Sequence, residues 1–580
     1  MSGLRAGLIW RCAFAVLLFS SPLLAAEKPN IVLVTLDSAR ADRMGFLGAK
    51  GGLTPNLDGL ARQSIVFEQA YAQSPSTVAS HAALLTGTYP PYNNVSELGA
   101  GLGARLPYLP ELLRAAGYRT AAFVGTMQLD PREGFAPGFD RGFDKYDAGF
   151  RLPQMGESRY GTVERRGAEV VGRALSWLER PGKGPFFLWL ELNDAHAPYQ
   201  PPAGYGRAGS AYNGEIKYAD AQLSKLFAGL RSRKLYDTAL IVVASDHGES
   251  LGAHGEETHG VFLYDETIHV PLLVKLPQNR AAKAAAHVRL VDVAPTVLEM
   301  AGVPAPPQMQ GQSLLRAMRQ AGMGEAAYAR SDFSREAFGW SRLEAWRAGK
   351  YLYIRAPKPE LYDTDGDPGA THNLAGSSQA TAGTMATQLL AFDGRMTGKA
   401  SGSAQLSSSE LQKLASLGYV GLQKPVSSNE GAVTGTDPKD EIALANKVED
   451  AMREIEDGKP QRASAALQTV LKGHPQMFLA QFAVGTAKMQ ERQYAAAVPF
   501  LRKAIELQPQ AAWAYYEMGE ALTHTGDWKG AATHLEIAVA RLPEMAEAHA
   551  TLAEAYQHLG RVAEAKKESE RAEQLRHAGK

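Results

Sequence analysis

The chain has 580 residues, a length that predicts at least two domains because one hydrophobic core rarely organises so many residues. Lys plus Arg and Asp plus Glu both number 61, so the formal net charge is zero and nothing favours nucleic acid as a partner. The only cysteine is Cys12, so disulfides, cysteine zinc sites and cysteine nucleophiles are excluded downstream of it.

The N-terminal segment has the pattern of a secretory signal peptide over residues 1–26. Arg5 and Arg11 precede or flank an apolar run at 13–19, and small residues follow as far as Ala26. We expect export to the bacterial periplasm or the outside of the cell. The alternative is an uncleaved membrane anchor, although the run is shorter than the roughly 20 residues that a span requires.

Residues 27–395 are predicted to form an α/β domain with a largely parallel sheet. Apolar runs at Ile31–Leu36, Phe186–Leu192 and Leu240–Ser245 have the composition of buried strands. The stretches 164–179 and 214–231 have the periodicity of amphipathic helices. From about residue 325 the pattern indicates a smaller C-terminal subdomain, with strands near 350–354 and 360–363.

Thr77 opens a short segment that predicts a helix ending at Gly87. Such a helix would point backbone N–H groups and the positive end of its dipole at an anion beside the threonine hydroxyl. A phosphate or sulfate ester is the expected guest, with Thr77 as the nucleophile. The alternative is that Thr77 only caps the helix, as threonine often does.

Polar residues follow the three predicted strands at their carboxyl ends. Asp37 follows the first and Asp246-His247 follows the third, so their side chains can converge at one edge of a parallel sheet. We expect Asp37, Thr77, Asp246 and His247 to bind one divalent metal ion that activates the Thr77 hydroxyl. The mixed ligands favour zinc or manganese, and calcium is the alternative.

Three histidines are further catalytic candidates. His196, in the loop after the second strand, and His259, in a charged loop, would stabilise the anion or protonate the leaving group. For His259 a solvated surface position is the competing interpretation. His81 lies one helical turn after Thr77 and would either orient it or pack beneath it.

Residues 396–437 are rich in Gly, Ser, Thr and Ala and are predicted to form a linker, interrupted by a short helix near 410–419. Residues 438–580 then repeat with a period of 34, seen in Pro475, Pro509 and Pro543. Clear repeats cover 477–510, 511–544 and 545–578, after a degenerate repeat at 438–475. The pattern resembles the tetratricopeptide repeat, which implies an all-α solenoid that binds a protein or peptide partner.

The N-terminal domain resembles the sulfatase family of the alkaline phosphatase superfamily over about residues 29–375. The matching motifs are Asn30-Ile31-Val32-Leu33-Val34-Thr35-Leu36-Asp37, Thr54-Pro55-Asn56-Leu57-Asp58, Leu84-Leu85-Thr86-Gly87, Ser245-Asp246-His247-Gly248-Glu249 and Tyr264-Asp265-Glu266-Thr267-Ile268-His269-Val270-Pro271. The resemblance implies an alkaline-phosphatase-like α/β/α sandwich with a small C-terminal subdomain and a metal-dependent ester hydrolase.

The chain departs from that family at several site positions. Family sulfatases have Cys-x-Pro-Ser-Arg where this chain has Thr77-Val78-Ala79-Ser80-His81, and threonine cannot become the formylglycine aldehyde. Asp37-Ser38, Gly125-Thr126-Met127-Gln128 and Asp246-His247 also replace family motifs. The changes resemble threonine-dependent phosphodiesterases and phosphotransferases.

The expected substrate is therefore a small anionic ester, with a phosphate mono- or diester favoured over a sulfate ester. A transferase is the variant of this hypothesis in which an acceptor hydroxyl replaces water. The alternatives are sulfate ester hydrolysis despite the threonine, and a pseudo-enzyme that binds an anion while its repeats recruit a partner.

Overall fold

The computed structural model describes residues 28–96, 101–132, 136–151, 153–154, 157–180, 182–206, 209–319, 324–396, 433 and 435–578. The predicted signal peptide at 1–26, with Cys12, lies outside the described residues. So do nearly all of the predicted linker at 396–437 and its short helix near 410–419.

Twelve strands form two sheets within the described residues. They are β1 (Ile31–Leu36), β2 (Ile65–Tyr71), β3 (Arg119–Phe123), β4 (Lys145–Asp147), β5 (Phe186–Leu192), β6 (Leu240–Ser245), β7 (His269–Lys275), β8 (Ala282–Arg289), β9 (Ala327–Ser331), β10 (Leu343–Ala348), β11 (Tyr351–Arg355) and β12 (Glu360–Asp363). The three strands predicted from apolar runs are confirmed with the same bounds.

The large sheet has eight strands in the order β4-β3-β5-β1-β6-β7-β2-β8. All neighbours are parallel except β7, which runs antiparallel to both β6 and β2. Strand β1 lies between β5 and β6 with Leu36 level with Leu192 and Ser245, so the residues that follow all three strands meet at one edge. This register positions the site described below.

Eleven α-helices accompany these sheets in the described residues. They are α1 (Pro55–Ala61), α2 (Thr77–Thr86), α3 (Pro90–Asn93), α4 (Leu109–Ala115), α5 (Gly167–Leu178), α6 (Ala211–Ser232), α7 (Asp265–Ile268), α8 (Val293–Ala301), α9 (Leu314–Arg319), α10 (Phe333–Phe338) and α11 (Gln379–Met396).

Every residue of β1, β5 and β6 is buried, because helices cover both faces of the large sheet. On one face Val32 packs in a cluster with Val170 of α5 and Leu223 of α6. On the other, Ile31 packs in a cluster with Leu84 of α2 and Leu109 of α4, among others. The layers form the alkaline-phosphatase-like α/β/α sandwich that the resemblance implied.

The helix predicted over 164–179 begins later, at Gly167. Arg166 has an extended backbone, with φ −68° and ψ 145°, and it precedes the first helical residue. Glu164 is instead buried and accepts hydrogen bonds from Arg159 and Asn193, so it belongs to the turn that enters the site. The amphipathic pattern alone could not distinguish this carboxylate from a solvent-facing helix residue.

The small sheet has the order β12-β11-β10-β9 and is antiparallel throughout. It contains both strands expected in the C-terminal subdomain. Its β10 and β11 contribute Trp346 and Tyr353 to a cluster with Leu389 and Phe392 of α11. Tyr264 donates to Glu360, which joins this sheet to the loop before α7.

Eight further helices form four antiparallel pairs at the C-terminus. They are α12 (Pro438–Glu456), α13 (Pro460–Gly473), α14 (Phe478–Gln490), α15 (Tyr494–Leu507), α16 (Ala512–Thr525), α17 (Trp528–Arg541), α18 (Ala546–His558) and α19 (Val562–Ala578). Glycines allow close packing within the pairs: a Cβ on Gly519 would lie 2.4 Å from Leu535 Cγ. We call these eight helices the repeat array. No helix in the described part of the chain is long and apolar enough to cross a bilayer.

Candidate active site

Asp37, Asp246 and His247 meet at the carboxyl edge of the large sheet. Asp37 follows β1, and Asp246 and His247 follow the adjacent β6, so the parallel register brings the three together. One ligand atom from each lies within 4.8 Å of the other two, and all three side chains are buried. The predicted convergence of these residues is present in the structure.

Thr77 is the first residue of α2, and Ser76 occupies the N-cap position. Thr77 therefore does not cap the helix. Its Oγ1 lies 3.2 Å from Asp37 Oδ2 and 3.3 Å from His247 Nε2, and the residue is 1% exposed. The side chain points into the Asp–His cluster, which joins it to the three predicted ligands.

The His247 ring is oriented by its backbone neighbour. Its Nδ1 lies 2.8 Å from the Gly248 carbonyl oxygen, which can only accept, so Nδ1 donates. In the neutral ring Nε2 then carries the lone pair and faces Thr77. The Thr77 hydroxyl thus lies between two proton acceptors, Nε2 and the Asp37 carboxylate.

The electrostatics of the cluster fit a divalent cation. Asp246 Oδ2 is buried and has no hydrogen-bond partner. Burial raises the pKa of Asp246 well above its usual value, and the negative charge of Asp37 raises it further. A cation bound between the two carboxylates would offset both effects and satisfy the orphaned oxygen. The donor set of two carboxylates and an imidazole suits zinc or manganese.

His81 lies beneath the nucleophile and does not face the cavity. Its Nδ1 donates to the Thr77 carbonyl oxygen at 2.8 Å, and its Nε2 lies 2.9 Å from Thr35 Oγ1. Burial lowers the pKa of His81 to about 4, so the ring is neutral at pH 7. Of the two roles considered for His81, orienting Thr77 or packing beneath it, the structure is compatible with both, because the ring lies under Thr77 and its hydrogen bond holds the Thr77 backbone.

His196 and His259 line a cavity of about 220 Å³ beside the cluster. Their ring centroids are 5.1 Å apart, and the His259 ring is 4.3 Å from that of His247. His196 Nδ1 donates to the Ala197 carbonyl oxygen, and His259 Nδ1 lies 3.2 Å from Glu249 Oε1. The solvated position considered for His259 is wrong, because the carboxylate of Glu249 and the neighbouring rings enclose it.

Burial shifts the pKa of the groups around this cavity. It lowers the pKa of His196 and, with the nearby His247, lowers that of His259 well below its usual value. Burial raises the pKa of Glu249 to about 7. A bound anion would favour the protonated rings, so the site is suited to take up negative charge together with a proton.

Several residues of this cavity have no counterpart in the sequence predictions. Met452 and Arg453 of α12 and Phe482 of α14 belong to the repeat array, yet they line the same cavity as His196 and His259. No local pattern signals them, because apolar and charged residues at helical spacing are ordinary in repeats. Gln128, which replaces a family motif in the sequence, also lines the cavity.

Comparison with known proteins agrees with this architecture. Residues 29–303 match the family model described as Sulfatase, and residues 256–391 match the C-terminal domain of N-sulphoglucosamine sulphohydrolase. Tetratricopeptide repeat models match residues 450–512, 488–538 and 525–574.

Individual relatives are distant. An uncharacterized sulfatase, YidJ, of Escherichia coli is 22% identical over 60% of this chain and 83% of its own. The N-acetylgalactosamine-6-sulfatase of Homo sapiens is 27% identical over 51% of this chain and 67% of its own. The phosphonate monoester hydrolase of Agrobacterium radiobacter superposes with a TM-score of 0.54 at 20% identity, covering 66% of this chain and 98% of that one.

The N-terminal part of the chain, which we call the sulfatase-type domain, is therefore similar to sulfatases, a similarity that supports an ester hydrolase, and helices that match tetratricopeptide repeat models follow it.

Proposed function

We propose that this ester hydrolase is exported and metal-dependent, that Thr77 is its nucleophile, and that it cleaves phosphate mono- or diesters. The observation that carries the proposal is the position of the Thr77 hydroxyl. It lies 3.2 Å from Asp37 Oδ2 and 3.3 Å from His247 Nε2, at the N-terminus of a ten-residue helix. Helix N-termini favour anions, so an ester bound there would face the hydroxyl.

Asp37, Asp246 and His247 would hold one divalent ion, with the Thr77 oxygen completing the donor set. The bound ion would supply positive charge that lowers the pKa of the threonine hydroxyl and neutralises an oxygen of the ester. Zinc and manganese suit these ligands, and calcium is the alternative.

The chemical step is a displacement at phosphorus. The Thr77 Oγ1–P bond forms, the bond from phosphorus to the alcohol oxygen breaks, and the hydroxyl proton passes to Asp37. A carboxylate that binds an ion still has a second oxygen to accept a proton, whereas the one lone pair of His247 would be held by the ion. His196 and His259 line the cavity where the alcohol would leave, and either imidazolium could give that oxygen a proton. Water then cleaves the threonine ester; in a transferase, an acceptor hydroxyl would take the place of water.

Sulfate ester hydrolysis is the second candidate, because a sulfatase family model matches the domain. Known chemistry of the family starts from an aldehyde made from cysteine, which Thr77 cannot supply. A threonine ester must be hydrolysed rather than eliminated, and this is easier to rationalise for phosphate than for sulfate. Phosphonate monoesters join the test set because a protein of that name shares the fold.

The test is turnover of matched nitrophenyl phosphate, phosphodiester, phosphonate and sulfate esters by residues 27–580 with zinc or manganese. We expect phosphorus ester turnover that Thr77→Ala abolishes and Thr77→Ser partly retains. Turnover of sulfate alone would overturn the preference for phosphorus. Unchanged activity in both Thr77→Ala and Asp246→Ala, or no turnover of any ester, would favour the anion-binding pseudo-enzyme.

Export is proposed from the pattern of residues 1–26, with the periplasm or the cell exterior as the destination. Cell fractionation with N-terminal sequencing of the mature protein tests it. A new N-terminus near Glu27 in the exported fraction supports cleavage. An intact N-terminus in the membrane fraction would indicate an anchor instead.

A further inference from the structure

The repeat array forms one wall of the catalytic cavity. The opposite wall carries Ser76 and Val78, which flank Thr77 in the chain, together with His196 and His259. The array residues on its side are Glu449, Met452, Arg453, Ile455, Glu456, Leu479, Phe482, Thr486, Trp513 and Glu517. Thr77 itself is 1% exposed and does not line the cavity, so a substrate that reached it from this cavity would pass helices α12, α14 and α16.

Polar contacts hold the first repeat helix against the loop that carries His259. Asn446 Nδ2 donates to the Gly255 carbonyl oxygen at 2.8 Å, and its Oδ1 accepts from the Glu257 backbone N–H at 3.2 Å. Thr258 Oγ1 donates to Glu449 Oε2 at 2.7 Å. These contacts lie within four residues of His259, so they hold the array against the loop that carries this catalytic candidate.

A buried arginine makes the second attachment. Arg159 lies 2.7 Å from Glu164 of the sulfatase-type domain, 3.1 Å from Glu456 and 3.3 Å from Asp457. Glu164 also accepts from Asn193, which lines the cavity. Arg159 thus connects the array to Glu164 and, through Glu164, to Asn193 in the lining of the cavity.

The cavity has both polar and apolar lining residues. His196 and His259 could bind an anion, whereas Phe333, Met452, Leu479 and Phe482 pack in one apolar cluster, which we call the apolar end of the cavity. An ester bound with its anionic head near Thr77 would place its alcohol carbons against these apolar side chains. Burial of an aromatic ring is the most favourable use of such a surface.

The cavity continues into a larger groove on the array. Thr486, Trp513 and Glu517 line both the cavity and this groove, which has a volume of about 910 Å³. The groove is lined by α14, α16, α18 and α19 of the array and also by residues of the sulfatase-type domain such as Arg132, Phe150 and Arg151. An alcohol with a long chain attached could therefore extend from the ester site along a groove that both domains line.

The groove carries acidic groups near its junction with the cavity. Thr486 Oγ1 lies 2.9 Å from each carboxylate oxygen of Glu517, and Glu520 follows one turn later. Neither glutamate forms an ion pair with any residue that the structure describes. Three groove arginines do have carboxylate partners: Arg132 with Asp130, Arg151 with Glu157 and Arg576 with Glu547. Burial raises the pKa of Glu517 to about 8 and also raises the pKa of Glu520, so a basic side chain bound at the junction would favour the ionised form of both.

We infer that the repeat array is the leaving-group half of the active site, and that the substrate is a peptide bearing an aromatic phosphate or sulfate ester beside basic residues. The aromatic ring, as in an esterified tyrosine, fills the apolar end, and the peptide follows the groove past Trp513. This inference rests on the proposed function. In the reaction the bond from phosphorus or sulfur to the phenolic oxygen breaks, and that oxygen gains a proton.

The test compares peptide and small substrates on the full-length mature protein. The probes are nitrophenyl phosphate and sulfate, and peptides with one phosphotyrosine or sulfotyrosine flanked by either lysines or glutamates. We expect kcat/KM for the lysine-flanked peptide to exceed that for the glutamate-flanked peptide at least tenfold. Trp513→Ala should lower the ratio of peptide to nitrophenyl kcat/KM about tenfold or more, mainly through KM.

Two further variants separate binding from folding. Glu517→Gln keeps the shape and the hydrogen bond from Thr486, and it should reduce the preference for lysine-flanked peptide. Val562→Ala, at a residue 73% exposed on the last helix, is the matched control and should change neither substrate class. Melting curves by circular dichroism identify any variant that has failed to fold.

The outcomes distinguish the two proposals. Turnover of nitrophenyl esters with no turnover of either peptide, or equal effects of Trp513→Ala on both classes, would overturn the inference and leave the proposed function standing. Preference for a sugar ester over every peptide would also overturn it. No Thr77-dependent turnover of any ester would instead contradict the proposed function.

Discussion

The two ends of the proposed active site are built in different ways. The catalytic end is the Asp–His cluster, and the second end is the wall that would contact the leaving group. The cluster of Asp37, Asp246 and His247 comes from two adjacent strand ends of one domain, and all its polar atoms are buried close together. The leaving-group wall comes from two domains, is largely apolar, and uses residues from helices more than 200 positions further along the chain. The chemistry is thus confined to short segments, whereas the shape that selects a substrate depends on how two domains pack.

Asp246→Asn should give the largest effect, because it changes a proposed metal ligand in the part of the site that one domain builds. Loss of a carboxylate charge weakens metal binding and should reduce turnover at least about 10³-fold. Steady-state kinetics and metal content by mass spectrometry measure both. Asp363→Asn, in the small sheet, is the control expected to retain turnover. Full activity of Asp246→Asn would contradict the assignment of the cluster.

Arg159→Ala tests the attachment of the second end. It leaves the buried Glu164 without its cation and removes two bridges to the array, which should cost roughly 3–5 kcal/mol of interdomain stability. Denaturant unfolding should then resolve two transitions where the parent has one. Arg151→Ala, whose partner Glu157 is solvent-exposed, should leave the profile unchanged. A single unshifted transition in Arg159→Ala would mean that the bridges do not hold the array.

Gly519→Ala tests how closely the two helices of one repeat pair are packed within the array. The new Cβ would lie 2.4 Å from Leu535 Cγ, and such overpacking should destabilise the array by about 1–3 kcal/mol. The same substitution at Gly383, an open position on α11, should be neutral or stabilising by about 0.5–1 kcal/mol. Thermal unfolding separates the two. Equal effects at both positions would show that the repeat helices tolerate more bulk than their contacts indicate.

The smallest expected effect is a pH dependence at the joint between the two domains. Burial raises the pKa of Glu449 to about 7 in the folded protein, from an ordinary value near 4.5. The folded state therefore keeps a proton that the unfolded state releases, so stability falls as pH rises through about 4.5–7 and stays reduced above 7.

Glu449→Gln removes this term while keeping an acceptor for Thr258. The variant should match the parent at pH 4 and exceed its stability at pH 8 by on the order of 1 kcal/mol. Melting temperatures across pH 4–8 measure the difference. Glu441→Gln, at a partly exposed residue of the same helix, is the control. A parallel pH profile in Glu449→Gln and the parent would contradict the role of this carboxyl.

Much of the catalytic end could be predicted from the sequence. The apolar runs of β1, β5 and β6 have one strand length and polar residues directly after them, so strand register alone brings Asp37 and Asp246 together. The 34-residue period likewise predicts the paired helices of the array, because each pair buries its apolar face only by stacking. The roles of Thr77, His196 and His259 in the reaction stay predictions.

Other features could not be read from local pattern. The helix predicted over 164–179 begins at Gly167 because Glu164 pairs with Arg159, a contact that no periodicity encodes. His259 stands in a charged loop that the sequence suggests is solvated, yet its side chain is only 12% exposed, because it faces Glu249 and the cavity that the array helps to line.

The sequence by itself determined the sheet edge, the candidate ligands, the threonine in place of cysteine and the repeat count, since each depends on periodicity or on residues next to one another. Only the tertiary structure decided that Ser76, not Thr77, occupies the N-cap position of α2 and that His81 lies under the proposed nucleophile. It alone decided that the repeat array closes the cavity, because that wall arises from packing between segments far apart in the chain, and local sequence carries no record of such distances.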